Sequence, residues 1–545
     1  MPCTWRAIGP AGRVVLIGSV LALALAAAAT SCAITAGHDG LAGGVMAEVT
    51  RPPATTTTVL AGPPAAVAAG AASRLFASAA VVVLANARNK AALAVAAAGA
   101  RRAHAPLLLV SAGMPAGHAS GSGGGAARGA AMRAPAASRT PEQRSAPMLS
   151  AAELLRTEVH ALAAREVLDV GMSAGGLAAE LPGISVITDP AKLPATRAPK
   201  PLHHVVILVR RQDRSAGTEA ATATALAAGA QVITVNGNDP RTDPAAITAL
   251  SAARPQQVLA VGAGFGPARL LASRVAVAAT GVQLPGGGQV LFPMHRLLAL
   301  YGYPGTPALG ALGQQGLPDA IARIRRIAAA YQPLSSVPVV PTFEIIATVA
   351  QASPGPDGTY SSASAVSSLR PWVTRATASG MYVVLDLQPG RASLLAQARR
   401  YRQLLRLPNV GLALDPEWKL RPGQRPLRQI GHVGINEVNG VIRWLARLTA
   451  QHHLPQKLLV LHQFRLSMIT GEQRLDIGHD DIAIVIHMDG QGTPAEKLQT
   501  WNAVVHNAPL GVFFGWKNFY DKDHPTLSPL QTMANTPAPV MISYQ

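Results

Sequence analysis

Val410-Gly411-Leu412-Ala413-Leu414-Asp415-Pro416-Glu417-Trp418 is an apolar run that ends abruptly in two carboxylates and a tryptophan. Side chains at i and i+2 of a strand point to the same face. A strand running through Trp418 therefore aims Asp415 and Glu417 into one space, beside an aromatic face able to stack on a sugar. The stretch lies within a long series of strand-then-helix patterns, where a (β/α)8 barrel keeps its chemistry.

Working outward, β-like runs occupy Arg296–Tyr303, Val337–Val349, Met381–Gln388, Val410–Trp418, Lys457–Phe464, Asp481–Asp489, Gly511–Tyr520 and Val540–Gln545. Amphipathic helical stretches cover Leu317–Tyr331, Ser362–Ser379, Ala392–Leu405, Asn436–Gln451 and Thr493–His506, with a short one near Pro529–Ala534. Eight such units in about 250 residues match one barrel, here residues 291–545. Leu291–Leu309 either covers one end or contains the first strand. Residues 74–290 show apolar runs separated by helices, the pattern of a Rossmann-like parallel α/β domain. The fold class is thus α/β throughout.

Composition bounds the function. The chain has 545 residues, 49% of them hydrophobic, and a formal net charge of +19 spread without a Lys/Arg block. Such a charge favours anionic envelope polymers or lipid headgroups. No nucleic-acid motif is present, so no nucleic-acid partner is expected.

Arg6 and Arg13 precede the apolar Val14–Ala29, the layout of an export signal. Ala29-Thr30-Ser31-Cys32 resembles a bacterial lipobox, which implies lipidation at Cys32 and a signal over residues 1–32. An uncleaved anchor over Val14–Ile34 and ordinary cleavage near Ala36 are the alternatives. Cys3 and Cys32 are the sole cysteines, so the mature domains hold no disulfide. The Pro/Thr/Ala-rich residues 33–73 read as a linker, and 113–148 as a Gly/Ser-rich insert in the next domain. The expected location is the outer face of the cell membrane or the wall, reached through the N-terminus.

Within 74–290, Val81–Ala85, an Ala-rich helix, Ala105–Val110 and Val167-Leu168-Asp169-Val170-Gly171 form one copy of a diffuse repeat. A second copy runs from His204–Val209 to Val258-Leu259-Ala260-Val261-Gly262. These segments resemble the cell-wall-binding repeat type 2 modules of Gram-positive surface proteins, which usually carry three copies. The resemblance implies binding to a cell-envelope polysaccharide or peptidoglycan. Gly262-Ala263-Gly264-Phe265-Gly266 lacks Gly-x-Gly-x-x-Gly spacing and a P-loop lysine, so no nucleotide cofactor is expected.

The strand ends of the C-terminal half carry Glu344, Asp386, Gln388, Asp415, Glu417, His462, Gln463, His487, Asp489, Lys517 and Tyr520. A barrel core is layered with Val, Ile and Leu, and buried charges are costly, so these groups point to an open cleft. Trp418, Trp516, Tyr520 and Tyr544 add flat apolar faces. Carboxylates with aromatics suit glycoside hydrolysis, which needs a proton donor and a group facing the oxocarbenium-like centre.

The Asp415-x-Glu417 strand end resembles that of the chitinase-type (family 18) glycoside hydrolases. The resemblance implies that Glu417 protonates the glycosidic oxygen and Asp415 orients the substrate's N-acetyl group. Val410 and Ala413 stand where that family has further aspartates, and Met488-Asp489 is all that remains of its sixth-strand motif. Asp386 and Asp489 complete the candidate catalytic set. Glu344, Gln388, Trp418, His462, Gln463, His487, Trp516, Lys517, Tyr520 and Tyr544 are candidate substrate contacts.

Blander readings stand beside these. Asp415 could pair with Lys517 or Arg465 as a rim ion pair. His462 and His487 could be satisfied core histidines, and Glu437 and Asn439 could serve only their helix N-terminus. With no His-x-His or His-Glu-x-x-His, no metal is expected. Two function classes remain: an exported, surface-anchored glycoside hydrolase, and a non-catalytic envelope protein that binds a glycan or partner.

Overall fold

The computed structural model describes residues 46–110, 151–172 and 174–545. The export signal with Cys32, and the insert at 113–148, lie outside the described residues.

Eight parallel strands alternate with helices in the C-terminal half. They are β1 (Arg296–Gly302), β2 (Val339–Ala350), β3 (Tyr382–Leu387), β4 (Val410–Leu414), β5 (Lys457–His462), β6 (Ile482–Met488), β7 (Phe513–Asn518) and β8 (Met541–Tyr544). Each pairs with the next in sequence, and β8 pairs back onto β1. The barrel is closed, which removes every edge. The long connections are α1 (Leu317–Tyr331), α2 (Val366–Ala378), α3 (Leu394–Arg400), α4 (Ile435–Gln451) and α5 (Pro494–Asn507).

The predicted runs fall within a few residues of these elements, with three instructive differences. β4 ends at Leu414, and Pro416–Trp418 is a single 3-10 turn. Proline fixes φ and has no N–H for the ladder, so Glu417 is not a strand residue. The helix expected from Ser362 starts at Val366, because Ser361–Ala363 pairs antiparallel with the end of β2. The helix expected over Ala392–Leu405 is interrupted at Tyr401, whose buried hydroxyl donates to the Ala347 carbonyl at 2.6 Å.

Inside the barrel, Leu297, Ala299, Val340, Val384, Leu458, Val460 and Val485 fill the lower layers. Leu284, Leu291 and Phe292 join the same cluster and plug the floor, so Leu291 covers one end while Arg296 opens the first strand. Two glycines make room for large inward rings. A Cβ on Gly411 would lie 2.8 Å from the Leu458 carbonyl oxygen and 3.1 Å from Tyr382 Cε1. One on Gly515 would collide with His487, reaching 3.0 Å from its Cγ.

The N-terminal half holds two four-stranded parallel sheets. The order in one is Leu107–Val110, Val81–Asn86, Glu166–Val170, Ser185–Ile187. The other runs Gln231–Val235, Val205–Arg210, Gln257–Val261, Thr56–Leu60; its first three positions correspond to those of the first sheet, while its fourth strand comes from upstream of both sheets. The segment read as a linker is structured from residue 46: Met46–Ala47 pairs with Thr196–Arg197, Val49–Thr50 pairs with Phe76–Ser78, Thr56–Leu60 is a sheet strand, and the helix Pro64–Leu75 buries Val67, Ala71, Ala72 and Leu75. Its alanines look like low complexity in sequence, yet they are what lets this helix pack closely against the helix Ala216–Ala227. A Cβ on Gly217 would lie 3.2 Å from Pro64 Cα.

This half docks beneath the barrel. Asp480, in the loop before β6, accepts from Arg241 at 2.5 Å and from Arg274 at 2.7 Å, and both arginines also meet Asp239. The opposite, C-terminal mouth stays open. Among the described residues no helix is long and apolar enough to cross a membrane.

Overpacking costs about 1–3 kcal/mol, and His487 is held by Ser543, so Gly515→Ala should lower stability by about that amount in a denaturant melt. A Cβ at Gly440 in α4 would meet nothing within 4 Å, so Gly440→Ala should instead stabilise by about 0.5–1 kcal/mol.

Candidate functional site

Strand parity sets which side chains enter the mouth. Tyr301, Glu344, Asp386, Asp415, His462, His487, Asp489 and Lys517 belong to the inward set, continuing the apolar layers of their own strands. They form two tiers. The upper tier bounds a cavity of about 390 Å³, to which Gln388, Asp415, Glu417, Trp418, Asp489 and Lys517 contribute. The lower tier, Glu344, Asp386, His462 and His487, is fully buried beneath it.

His462 organises the lower tier. Its Nε2 donates to Glu344 Oε1 at 3.1 Å, and its Nδ1 lies 3.2 Å from Asp489 Oδ2 in an ion pair. Burial alone would drive the ring neutral, but these two carboxylates overcome it and hold His462 well above the usual imidazole range. The consequence spreads. For Asp489, burial pushes upward, yet the His462 contact and charge win and keep it below the ordinary carboxylate range. His487, its partner in the β5–β6 register, is held well below the usual range by burial and then by the His462 charge. His487 Nε2 and Ser543 Oγ share a hydrogen bond of 3.2 Å.

Of the remaining carboxyls only Asp386 faces the imidazole, its Oδ1 4.0 Å from His462 Nε2. Burial pushes Glu417 up to about 7, with Asp489 adding to the rise and Lys517 opposing it. Asp415 is raised well above its usual range by burial, then by Glu417 and Asp386. Asp386, also buried, rises to about 6 and accepts from the Tyr301 hydroxyl at 2.9 Å. Asp415 forms no ion pair with Lys517 or Arg465 among the described residues. Oxygens of Glu344, Asp386, Asp415 and Asp489 are buried without a hydrogen-bond partner there. Buried acceptors left unpaired are costly, and these cluster at a cavity of ligand size.

Asp415 and Glu417 share the cavity, but by a different route from strand parity. Asp415 precedes the 3-10 turn, and the turn swings Glu417 back over the mouth. The following loop returns across it: the Gly431 N–H donates to the Glu417 carbonyl at 2.7 Å. A Cβ at Gly431 would lie 2.5 Å from that oxygen, so the return requires glycine. Glu437 accepts from Lys419 Nζ and the Leu394 N–H, both at 2.9 Å, and pins the same loop. Asn439 bonds the backbone at Arg474 and Asp476 instead.

Seven predicted contacts and the catalytic candidate Asp386 do not line this cavity: Glu344, Asp386, His462 and His487 are buried beneath it, and Trp516, Tyr544, Tyr520 and Gln463 face away from it. Trp516 lies between the inward Gly515 and Lys517, so it points outward. Its ring sits 5.6 Å from Trp501, and its Nε1 donates to Asn518 at 2.8 Å. Tyr544 follows the inward Ser543 and meets the Tyr331 hydroxyl at 2.6 Å. Tyr520 stacks on Tyr544 at 5.4 Å, outside the mouth. Gln463 follows the inward His462 and donates to Glu472 at 2.9 Å.

Sequence reasoning missed Tyr301, whose ring lies 3.5 Å beneath Lys517 Nζ. Its inward parity on β1 was the available signal. Leu427 and Phe464, which also line the cavity, carried no signal. Among the described residues, no group of three or more His, Cys, Asp or Glu side chains could hold a metal ion.

No protein-family model matches the chain, and no curated protein or solved structure is significantly similar to it. Only the site's own geometry bears on its chemistry.

The raised Glu417 carboxyl has a stability consequence. In the unfolded chain it ionises near 4.5, in the folded protein near 7. Below 4.5 both states hold the proton; between these values the unfolded state ionises first, and stability is lost as pH rises. Glu417→Gln should therefore raise the melting temperature at pH 8 by a few degrees and leave it nearly unchanged at pH 4, measured by calorimetry.

Proposed function

We propose that the protein is a carbohydrate-active hydrolase of the cell envelope, with Glu417 as proton donor. One observation carries this reading: two carboxyls of one cavity are driven to opposite protonation states. Glu417, near 7, keeps a proton to give, while Asp489 stays ionised beside His462. Such divergence marks an acid and its charged counterpart. Glu417 would protonate the glycosidic oxygen as the C–O bond breaks. Asp489 would face the positive anomeric carbon, and water would supply its new hydroxyl. Asp415, deeper and protonated, would donate a hydrogen bond to the substrate, and Trp418 would stack on a sugar face. The resemblance of Asp415-x-Glu417 to the chitinase-type strand end points to Glu417 alone as donor, although here Glu417 sits in the turn after β4.

A second reading, a glycan-binding protein without turnover, is favoured by Val410 and Ala413. They stand where the chitinase-type family has aspartates and are fully buried in apolar clusters. The matching order of the first three strands in the two N-terminal sheets supports the wall-binding-repeat reading, with envelope polysaccharide or peptidoglycan as partner. Export and attachment through the N-terminus complete the proposal.

Against a panel of peptidoglycan, arabinogalactan-like and chitin-like glycans, Glu417→Gln should cut turnover by about a hundredfold or more with the fold intact. Activity should decline above about pH 7 as Glu417 ionises, and in acid below the 3.8 of an ordinary aspartate as Asp489 is protonated. Wild-type turnover by Glu417→Gln would remove the assignment. Equal binding by both forms without hydrolysis would establish the second reading.

Attachment has its own check. Metabolic fatty-acid labelling should be lost in Cys32→Ser; label that persists would exclude lipidation at that cysteine.

A further inference from the structure

We propose that the cleft takes a glycan bearing an anionic substituent, carboxylate or phosphate ester, on the sugar that departs, and that Arg428 and Arg465 recognise it. The proposal rests on Glu417 being the proton donor.

Two chambers meet at Glu417 and Trp418. The inner one, described above, contains Asp415, Asp489 and Lys517. The outer one, about 420 Å³, is formed by Leu427, Arg428, Gln429, Ile430 and Arg465. A donor shared by two adjoining chambers places the scissile oxygen at their junction. Asp489 lies on the inner side, so the inner sugar carries the developing positive charge and the outer sugar is the leaving group. The C–O bond breaks, the Glu417 proton goes to the departing oxygen, and water supplies the hydroxyl and, net, the proton that restores Glu417.

The outer chamber is cationic. Glu417 is its sole carboxyl, and neither arginine has an ion pair among the described residues. Guanidinium groups match carboxylate and phosphate in a two-point geometry. Arg465 also lies 6.0 Å from the ring of Phe464, which lines the inner chamber. Leu427 and Ile430 expose apolar surface beside the arginines, suited to a sugar ring.

The loop that presents Leu427, Arg428 and Ile430 is held at its base. The Leu420 N–H donates to the Gly390 carbonyl at 2.8 Å, and Arg391 Nη2 to the Gln424 carbonyl at 3.0 Å. At its tip Leu427 is 85% exposed with φ +62°, in the left-handed region that L-residues avoid. An exposed leucine in that conformation is hard to explain by packing; backbone strain of this kind collects at ligand clamps.

The test compares three substrates on the full chain. Peptide-free peptidoglycan strands carry a carboxylate on alternate sugars, chitin oligosaccharides lack it, and a teichoic-type glycan carries phosphodiesters. Wild type should favour one acidic glycan over chitin in kcat/KM, and the responding arm identifies the anion. Arg428→Ala/Arg465→Ala should lower that preference by about tenfold or more, chiefly through KM and most at low salt. An unchanged ratio in the double variant, or no acidic preference in wild type, overturns the proposal. If nothing is hydrolysed, calorimetric binding to Glu417→Gln decides. Acidic preference that disappears with the arginines upholds the subsite and sinks the hydrolase reading; binding of none of the three overturns both.

Discussion

The contact of His462 with Glu344 and Asp489 is the interaction on which the barrel mouth depends. Glu344, Asp386, Asp415 and Asp489 all lie at the C-terminal end of the barrel and are buried. Ionised together in low dielectric they would repel strongly. A charged imidazole 3.1 Å from Glu344 and 3.2 Å from Asp489 offsets part of that repulsion. It also sorts the protons. Asp489 is kept below the ordinary carboxylate range, the neighbouring His487 is kept neutral, Asp415 is raised by burial and then by Glu417, and Glu417 by burial and then by Asp489. His462 thus sets the charge of Asp489, while burial sets the proton on Glu417.

The rest of the fold keeps this arrangement rigid and accessible. Leu284, Leu291 and Phe292 close the barrel floor, and the Asp480–Arg241–Arg274 cluster fixes the N-terminal half on that same side. The mouth is therefore free of the domain that could have covered it. The buried Lys497 of α5 donates to the carbonyl of Lys517 on β7 at 2.6 Å and pairs with Asp523, which holds Lys517 over the Tyr301 ring. Functional groups on strands braced by a second set of hydrogen bonds keep their geometry better than groups on free loops.

The barrel was legible because its strands are buried on both faces. Such strands are short, nearly continuous apolar runs, and they stand out between amphipathic helices. Local punctuation was harder to read. Pro416 ends β4 early, and Tyr401 interrupts a helix through a buried hydroxyl bond that periodicity does not register. The segment around residues 56–75 failed for a different reason. Small residues and threonines resemble a tether, yet here they form a strand and a tightly packed helix whose partners lie far along the chain, at Gln257–Val261 and Ala216–Ala227. Among the site residues, Asp386, Asp415, Asp489 and Lys517 were legible as polar ends of apolar strands, whereas Glu417 was reached by the wrong route, since Pro416 takes it off the strand. Trp516, Tyr520 and Tyr544 were drawn in by residue type, although the alternation that places Lys517 inward already turns Trp516 outward.

The sequence by itself determined the eight-strand alternation, the position of the carboxylates at strand ends and the parity that separates inward from outward, since these follow from side-chain periodicity along single segments. Only the tertiary structure decided which carboxyl holds a proton. That depends on burial and on the separation of charges from different strands, such as His462 and Asp489, and both are set when the barrel closes. The same closure, with a loop folded back over Glu417 through Gly431, brought Arg428 and Arg465 to one chamber wall from different loops, a juxtaposition without a counterpart in sequence spacing.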